Sequence, residues 1–184
     1  MKSSKSYNKK KAKRQIWYVS TAVDNDVKYS EKKFSKKVHS VLNDTRRGWM
    51  SILPITFEFV GEHEKENHPR KIHIRLSKSK LIKKICDIHH MSCCNLETRE
   101  VWINEDRWFK GSSHSKLSIY DYRVYVINHE VGHALGFLHQ DCECYGDGEC
   151  PLLAPVMMQQ TLSIGKCKPN PYPLAQHLKN AKHL

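Results

Sequence analysis

The 184-residue sequence has no apolar run approaching the ~20 residues that a bilayer-spanning helix needs, which excludes a transmembrane segment. No apolar stretch follows the charges of its opening, MKSSKSYNKKKAKRQ, so no secretory signal is recognisable there. Internal repeats and Gly/Ser- or Pro-rich linkers are also missing, and residues 15–184 read as one domain. Hydrophobic residues are sparse at 39%, yet four Trp and eight Tyr argue against disorder of the whole chain. Acidic residues are wholly missing from residues 1–14, where Lys2, Lys5, Lys9, Lys10, Lys11, Lys13 and Arg14 cluster. That tail is expected to be disordered, because it cannot bury enough apolar surface to offset its ordering entropy. It holds more than half of the net charge of +12, which leaves a folded body too mildly basic to read as a DNA-binding domain. The tail itself reads either as a solvated extension or as an arm for nucleic acid or an anionic surface.

What is present is patterned. Ile16–Ala22 is β-branched and aromatic and reads as a strand. Ser30 can cap a helix whose apolar positions Phe34, Val38, Val41 and Leu42 share one face, with Gly48 beyond its end. Ile55, Phe57 and Phe59 alternate with Thr56 and Glu58, and Ile72, Ile74 and Leu76 alternate with His73 and Arg75, as half-buried strands do. Val101–Asn104 is a further short strand. The fold class is therefore α+β with an α/β-type sheet layer. A second main helix begins near Ser118, where Ser118 and Asp121 form a capping-box signal, and runs to Leu135. Val124, Ile127, Val131 and Leu135 lie on one of its faces, and Gly136 is the natural stop. Beyond it the chain is Cys-, Gly- and Pro-rich and irregular to about residue 173, and the closing LAQHLKNAKHL could form a short helix.

Chemistry concentrates in His129-Glu130-Val131-Gly132-His133, followed by Gly136 and His139. Two His four residues apart on a helix are rotated by about 40°, so both imidazoles project from one side, a spacing that suits two positions of a tetrahedral zinc. A continued helix would carry residue 139 to the far side, so a chain reversal at Gly136 is required for His139 to serve as third ligand. Three imidazoles leave one position for a water whose pKa zinc can lower to roughly 7, and Glu130 is placed to take its proton as general base. At this chain's own composition the HExxHxxGxxH pattern arises by chance on the order of once in 10⁴ sequences, so coincidence is a poor account of it. The remaining nine His, His89 and His90 included, lack such spacing and read as surface or hydrogen-bonded structural residues.

The extended motif resembles the metzincin clan of zinc endopeptidases. Ala154-Pro155-Val156-Met157-Met158-Gln159-Gln160-Thr161 looks like the clan's Met-turn, with Met157 the better match and Met158 its rival. The clan's metal-flanking Tyr two residues after the Met is missing, and Gln159 stands in its place. More narrowly, YRVYVINHEVGHALGFLH, APVMMQQT, GKC and NPYP are similar to a family of uncharacterised, mostly secreted bacterial metzincin-like peptidases. Arg47–Trp49, Ser92-Cys93, Asn104 and Arg107-Trp108 are landmarks of the same likeness, which covers roughly residues 16–173. The resemblance implies a twisted, mostly parallel sheet with two main helices. It also implies an HExxH-bearing active-site helix, an irregular C-terminal part and substrate lying extended near the region leading into Val101–Asn104. It further implies disulfides between Cys86 and Cys93 or Cys94, and between Cys142 and Cys167, leaving Cys144 and Cys150 to pair. The rival reading of these thiols is a structural metal held by Cys142, Cys144, Cys150 and one more ligand. Disulfides and resemblance favour a secreted or oxidising setting, at odds with the Lys-rich start.

The expectation is thus a monomeric zinc metalloendopeptidase acting on polypeptide, with one catalytic Zn²⁺ on His129, His133 and His139, and Glu130 as catalytic base. The alternative is a non-enzymatic zinc-binding module, or an inactive peptidase relative, tethered by its basic arm to nucleic acid or an anionic surface.

Overall fold

A computed structural model describes residues 14–61, 68–88, 90–143 and 152–178. The Lys-rich tail read from residues 1–14 falls, but for Arg14, outside the described residues. So do His89, Cys144, Cys150 and the end of the last predicted helix. In chain order the elements are β1 (Gln15–Val23), α1 (Glu31–Leu42), α2 (Trp49–Ile52), β2 (Ile55–Phe59), β3 (Lys71–Ser77) and α3 (Ser79–Cys86). They continue with β4 (Cys93–Cys94), β5 (Glu100–Asn104), α4 (Glu105–Lys110), α5 (Ile119–Ala134) and α6 (Ala175–Leu178). One sheet runs β2-β1-β3-β5-β4; its first four strands are parallel and β4 alone is antiparallel, against β5. The chain is therefore α+β with a mostly parallel five-stranded sheet. The two long helices foreseen are α1 and α5; α3 and α4 were not.

A parallel sheet must be covered on both faces, and it is. Val19, Ile72, Ile74, Leu76, Val101 and Ile103 turn one face toward α1 and α5 in the main core. On the other face Trp102 and Ile82 pack with Cys93, while Ser20 Oγ meets the buried His73 Nδ1 across β1 and β3 at 2.8 Å. Helix α1 forms where its periodicity says. Ser30 Oγ accepts the Lys33 N–H, a cap typically worth ~1 kcal/mol, and Phe34, Val38, Val41 and Leu42 are buried. Helix α5 is different in kind: Tyr122 and every residue from Val124 to Gly132 are buried, because sheet and C-terminal segment enclose it. Its charged and polar side chains are thus held inside the protein, which is expensive unless they have partners or a purpose.

The irregular C-terminal part is tied down by hydrogen bonds in place of regular structure. Gln160 donates to the Pro155 and Asn170 carbonyls and accepts from the Asn170 N–H, while Asn170 donates to Ala154 and Tyr172. Cys142–Cys167 closes the same region, and Cys86–Cys93 ties the end of α3 to β4. The choice left open between Cys93 and Cys94 falls to Cys93; Cys94 is free. With Cys142 in a disulfide, its thiolate is withdrawn from the rival structural-metal set. Among the described residues no helix is long and apolar enough to cross a membrane.

Candidate metal centre

The last turn of α5 decides the geometry. Gly136 takes φ 98°, a conformation costly for any residue with a Cβ. Its N–H reaches the His133 carbonyl at 2.9 Å and the Phe137 N–H reaches the Gly132 carbonyl at 3.0 Å, the paired bonds of a Schellman ending. The reversal lets Phe137 stack on Trp49, ring centroids 5.0 Å apart, and carries His139 back toward the helix. The three imidazoles converge: centroids of His129 and His133 lie 4.9 Å apart, His133 and His139 4.7 Å, His129 and His139 5.3 Å. Ligand atoms of the three all fall within 4.8 Å of one another, a grouping able to hold a metal ion.

The main chain sets their tautomers. A carbonyl can only accept, so His129 Nδ1–H donates to Val156 O and His133 Nδ1–H donates to Phe137 O, both at 2.8 Å. Each ring therefore presents its Nε2 lone pair to the shared space. His133 Nε2 and His139 Nε2 stand 3.0 Å apart, close to the ~3.3 Å edge of a tetrahedron with 2.0–2.1 Å bonds to zinc. Burial, then the neighbouring His133 charge, lowers His129 to about 3; burial, then His139, lowers His133 to about 4. His139 is lowered too, by partial burial. All three are neutral at pH 7, as imidazole ligands must be. Glu130 is buried with no hydrogen-bond partner among the described residues, and desolvation raises it to about 8.

Met157 packs beneath the helix in the main core, and the bare Cα of Gly132 is what admits its sulfur. Met158 belongs to a separate cluster with Ala154 and Cys167. Of the two rivals, Met157 is the one packed against Gly132 of α5. The cleft beside the imidazoles, about 280 Å³, has Tyr125 and Val126 on one side and Gln159 and Thr161 on another. Its remaining wall is the segment bearing Met91, Ser92, Cys93, Cys94 and Leu96.

A family model described as a protein of unknown function, DUF3152, matches residues 3–176. The chain belongs to the DUF3152 family. No curated protein matches it. In this DUF3152 chain the sequence landmarks outside the histidine motif turn out to be supports of the cleft. The Asn104 side chain caps α4, and its own N–H donates to Ser92 Oγ at 3.0 Å. Arg107 Nε donates to His90 O at 2.7 Å, so α4 holds the Met91–Cys94 wall in place. Trp49 donates its indole N–H to the Asn128 carbonyl at 3.0 Å, next to the first histidine. That wall lies in the region leading into Val101–Asn104, where the family resemblance places substrate; Tyr125 was missed by sequence reasoning.

The shifts give the DUF3152 protein a two-sided pH dependence once a chelator has stripped any metal. His129 and His133 lie below their ordinary 6.5, so the unfolded chain binds more protons and their contribution is lost as pH falls from 6.5 toward 3–4. Glu130 lies above its ordinary 4.5, so its contribution is full below 4.5 and is lost as pH rises toward 8. Urea midpoints of the chelated protein should therefore fall on acidification below 4.5, and rise on acidification from 8 to 6.5. In the lower window the histidines act without Glu130, and the lowered Asp44 and Asp106 carboxyls work in the same direction. A flat profile over both windows would contradict the burial of these groups.

Proposed function

We propose that this protein is a zinc-dependent metalloendopeptidase of metzincin-like type, hydrolysing peptide bonds. The observation that carries the reading is the convergence of three neutral imidazoles beside a buried, unpartnered carboxylate at the edge of an open cleft. His129, His133 and His139 would hold the ion through Nε2. When bound, zinc supplies Lewis acidity that makes water a nucleophile at neutral pH and polarises a carbonyl. Glu130 takes a proton from the attacking water on its carboxylate and delivers it to the amine nitrogen as the C–N bond breaks. Its burial pushes its affinity for protons up, and the charge of a dication held by the three histidines would pull it back down. The group thus starts the cycle ionised and can still hold a proton in passing. Met157 is the Met-turn residue of this reading. β4 is the terminal strand of the sheet and also a cleft wall, so an extended polypeptide substrate can add to it through backbone hydrogen bonds. The two disulfides favour an oxidising setting.

Zinc analysis of the full chain, combined with digestion of an unfolded protein, tests the reading. About one zinc per chain is expected, with cleavage abolished by 1,10-phenanthroline and restored by about one equivalent of zinc. Tight zinc with no cleavage of broad peptide libraries would favour the non-enzymatic alternative.

A further inference from the structure

Most polar groups of the cleft have partners. Ser92 Oγ accepts the Asn104 N–H, the Thr161 hydroxyl pairs with Tyr122 at 2.8 Å, and both histidine Nδ1–H groups on α5 go to carbonyls. Tyr125 donates its hydroxyl to Met158 O at 2.8 Å and accepts the Gln160 N–H at 2.9 Å. Besides Glu130, which can only accept, Gln159 is left over: it lines the cleft half-buried, and among the described residues its carboxamide makes no hydrogen bond. Its surroundings are otherwise fixed. Met158, Gln160 and Thr161 are buried, the Gln159 carbonyl accepts from Leu162 and Ser163, and one Tyr125 hydroxyl clasps the backbone on both sides of it. Tyr125 sits one helical turn before His129, so this clasp locks the Gln159 backbone to the helix that carries the imidazoles and Glu130. A rigid backbone with one unspent amide donor facing the cleft is how a preorganised electrostatic group is built.

The proposed hydrolysis has a use for such a donor beside the ion. When the water oxygen bonds to the carbonyl carbon, the C=O π pair moves onto the carbonyl oxygen. The water's proton goes to Glu130 and then to the amine nitrogen, which leaves with the C–N bonding pair as the oxyanion pair re-forms the C=O bond of the product acid. Glu130 is committed to that proton and offers the oxygen nothing. We infer that the Gln159 carboxamide N–H groups bind the substrate carbonyl oxygen as it gains charge, making Gln159 a catalytic residue; this rests on the peptidase reading above.

Gln159→Leu and Gln159→Glu, made in the full chain and loaded with zinc, test it on a peptide that the unaltered protein cleaves. Removal of one oxyanion donor should lower kcat by about 10²–10³-fold in both. KM should stay within about threefold, since the contact is made in the transition state. Zinc stoichiometry and melting temperature should be unchanged, because the side chain supports nothing else. A phosphinic peptide, a tetrahedral anion, should bind about tenfold or more weakly to Gln159→Leu. Retention of kcat within a few-fold in Gln159→Leu, or a loss that tracks lost zinc, would overturn the inference while leaving the peptidase reading intact. An unaltered, zinc-loaded protein that cleaves nothing would overturn both.

Discussion

Glu130→Gln is expected to retain a full complement of zinc and to lose turnover by about 10²–10⁴-fold, the usual contribution of a positioned general base. The two halves of that result come from separate parts of the geometry. The group that can hold a metal is His129, His133 and His139, and Glu130 is outside it. The carboxylate instead lies buried, unbonded and beside the cleft, with its proton affinity raised by desolvation alone. Among the described residues nothing hydrogen-bonds to it. Gln preserves the shape and removes the base, so zinc analysis and kcat on one peptide separate the roles directly. Loss of zinc in the variant would make Glu130 part of the metal site, and undiminished kcat would remove it from the reaction.

Gly132→Ala should lower the melting temperature by up to roughly 8 °C, although Ala is the better helix former by about 1 kcal/mol. Space decides the sign. A Cβ at position 132 would fall 2.8 Å from Trp49 Cζ2 and inside the Met157 sulfur. The thioether can swing aside, but the indole cannot, since it stacks on Phe137 and donates to the Asn128 carbonyl. Overpacking of this kind costs about 1–3 kcal/mol. A thermal melt checks the single variant. In a Met157→Ala background the same substitution should cost less, since part of the obstruction has gone, and equal costs in the two backgrounds would show that Met157 is not what Gly132 accommodates.

The legible parts of this protein were those governed by local rules. α1 could be read from Ser30 and four apolar residues on one face, and α5 from Ser118 to its stop. The turn that returns His139 could be read from the one Gly whose conformation permits it. Helix α3 was overlooked although Leu81, Ile82, Ile85 and Cys86 recur on one face, because it is only eight residues long and Lys78 offers no side-chain cap to mark its start. Helix α4 was hidden because Asn104 ends β5 and caps α4 at once, and the strand pattern masked the cap. β4 is two residues long, too short for any pattern. The fixing of Gln160 by Asn170, and the reach of Tyr125 to residues 158 and 160, are tertiary facts with no local signature. Of the centre itself, the ligand identities could be read from spacing. Their tautomers, set by Val156 and Phe137 carbonyls, could not.

Those two carbonyls have a further consequence. Where an aspartate orients a ligating histidine, one codon change can cut the support away. Here the supports are main-chain oxygens, present whatever amino acid occupies positions 137 and 156. Sequence drift can disturb ring orientation at His129 and His133 only by moving the backbone itself. A neutral amide oxygen also pushes less electron density into the ring than a carboxylate does, leaving a bound cation the harder Lewis acid.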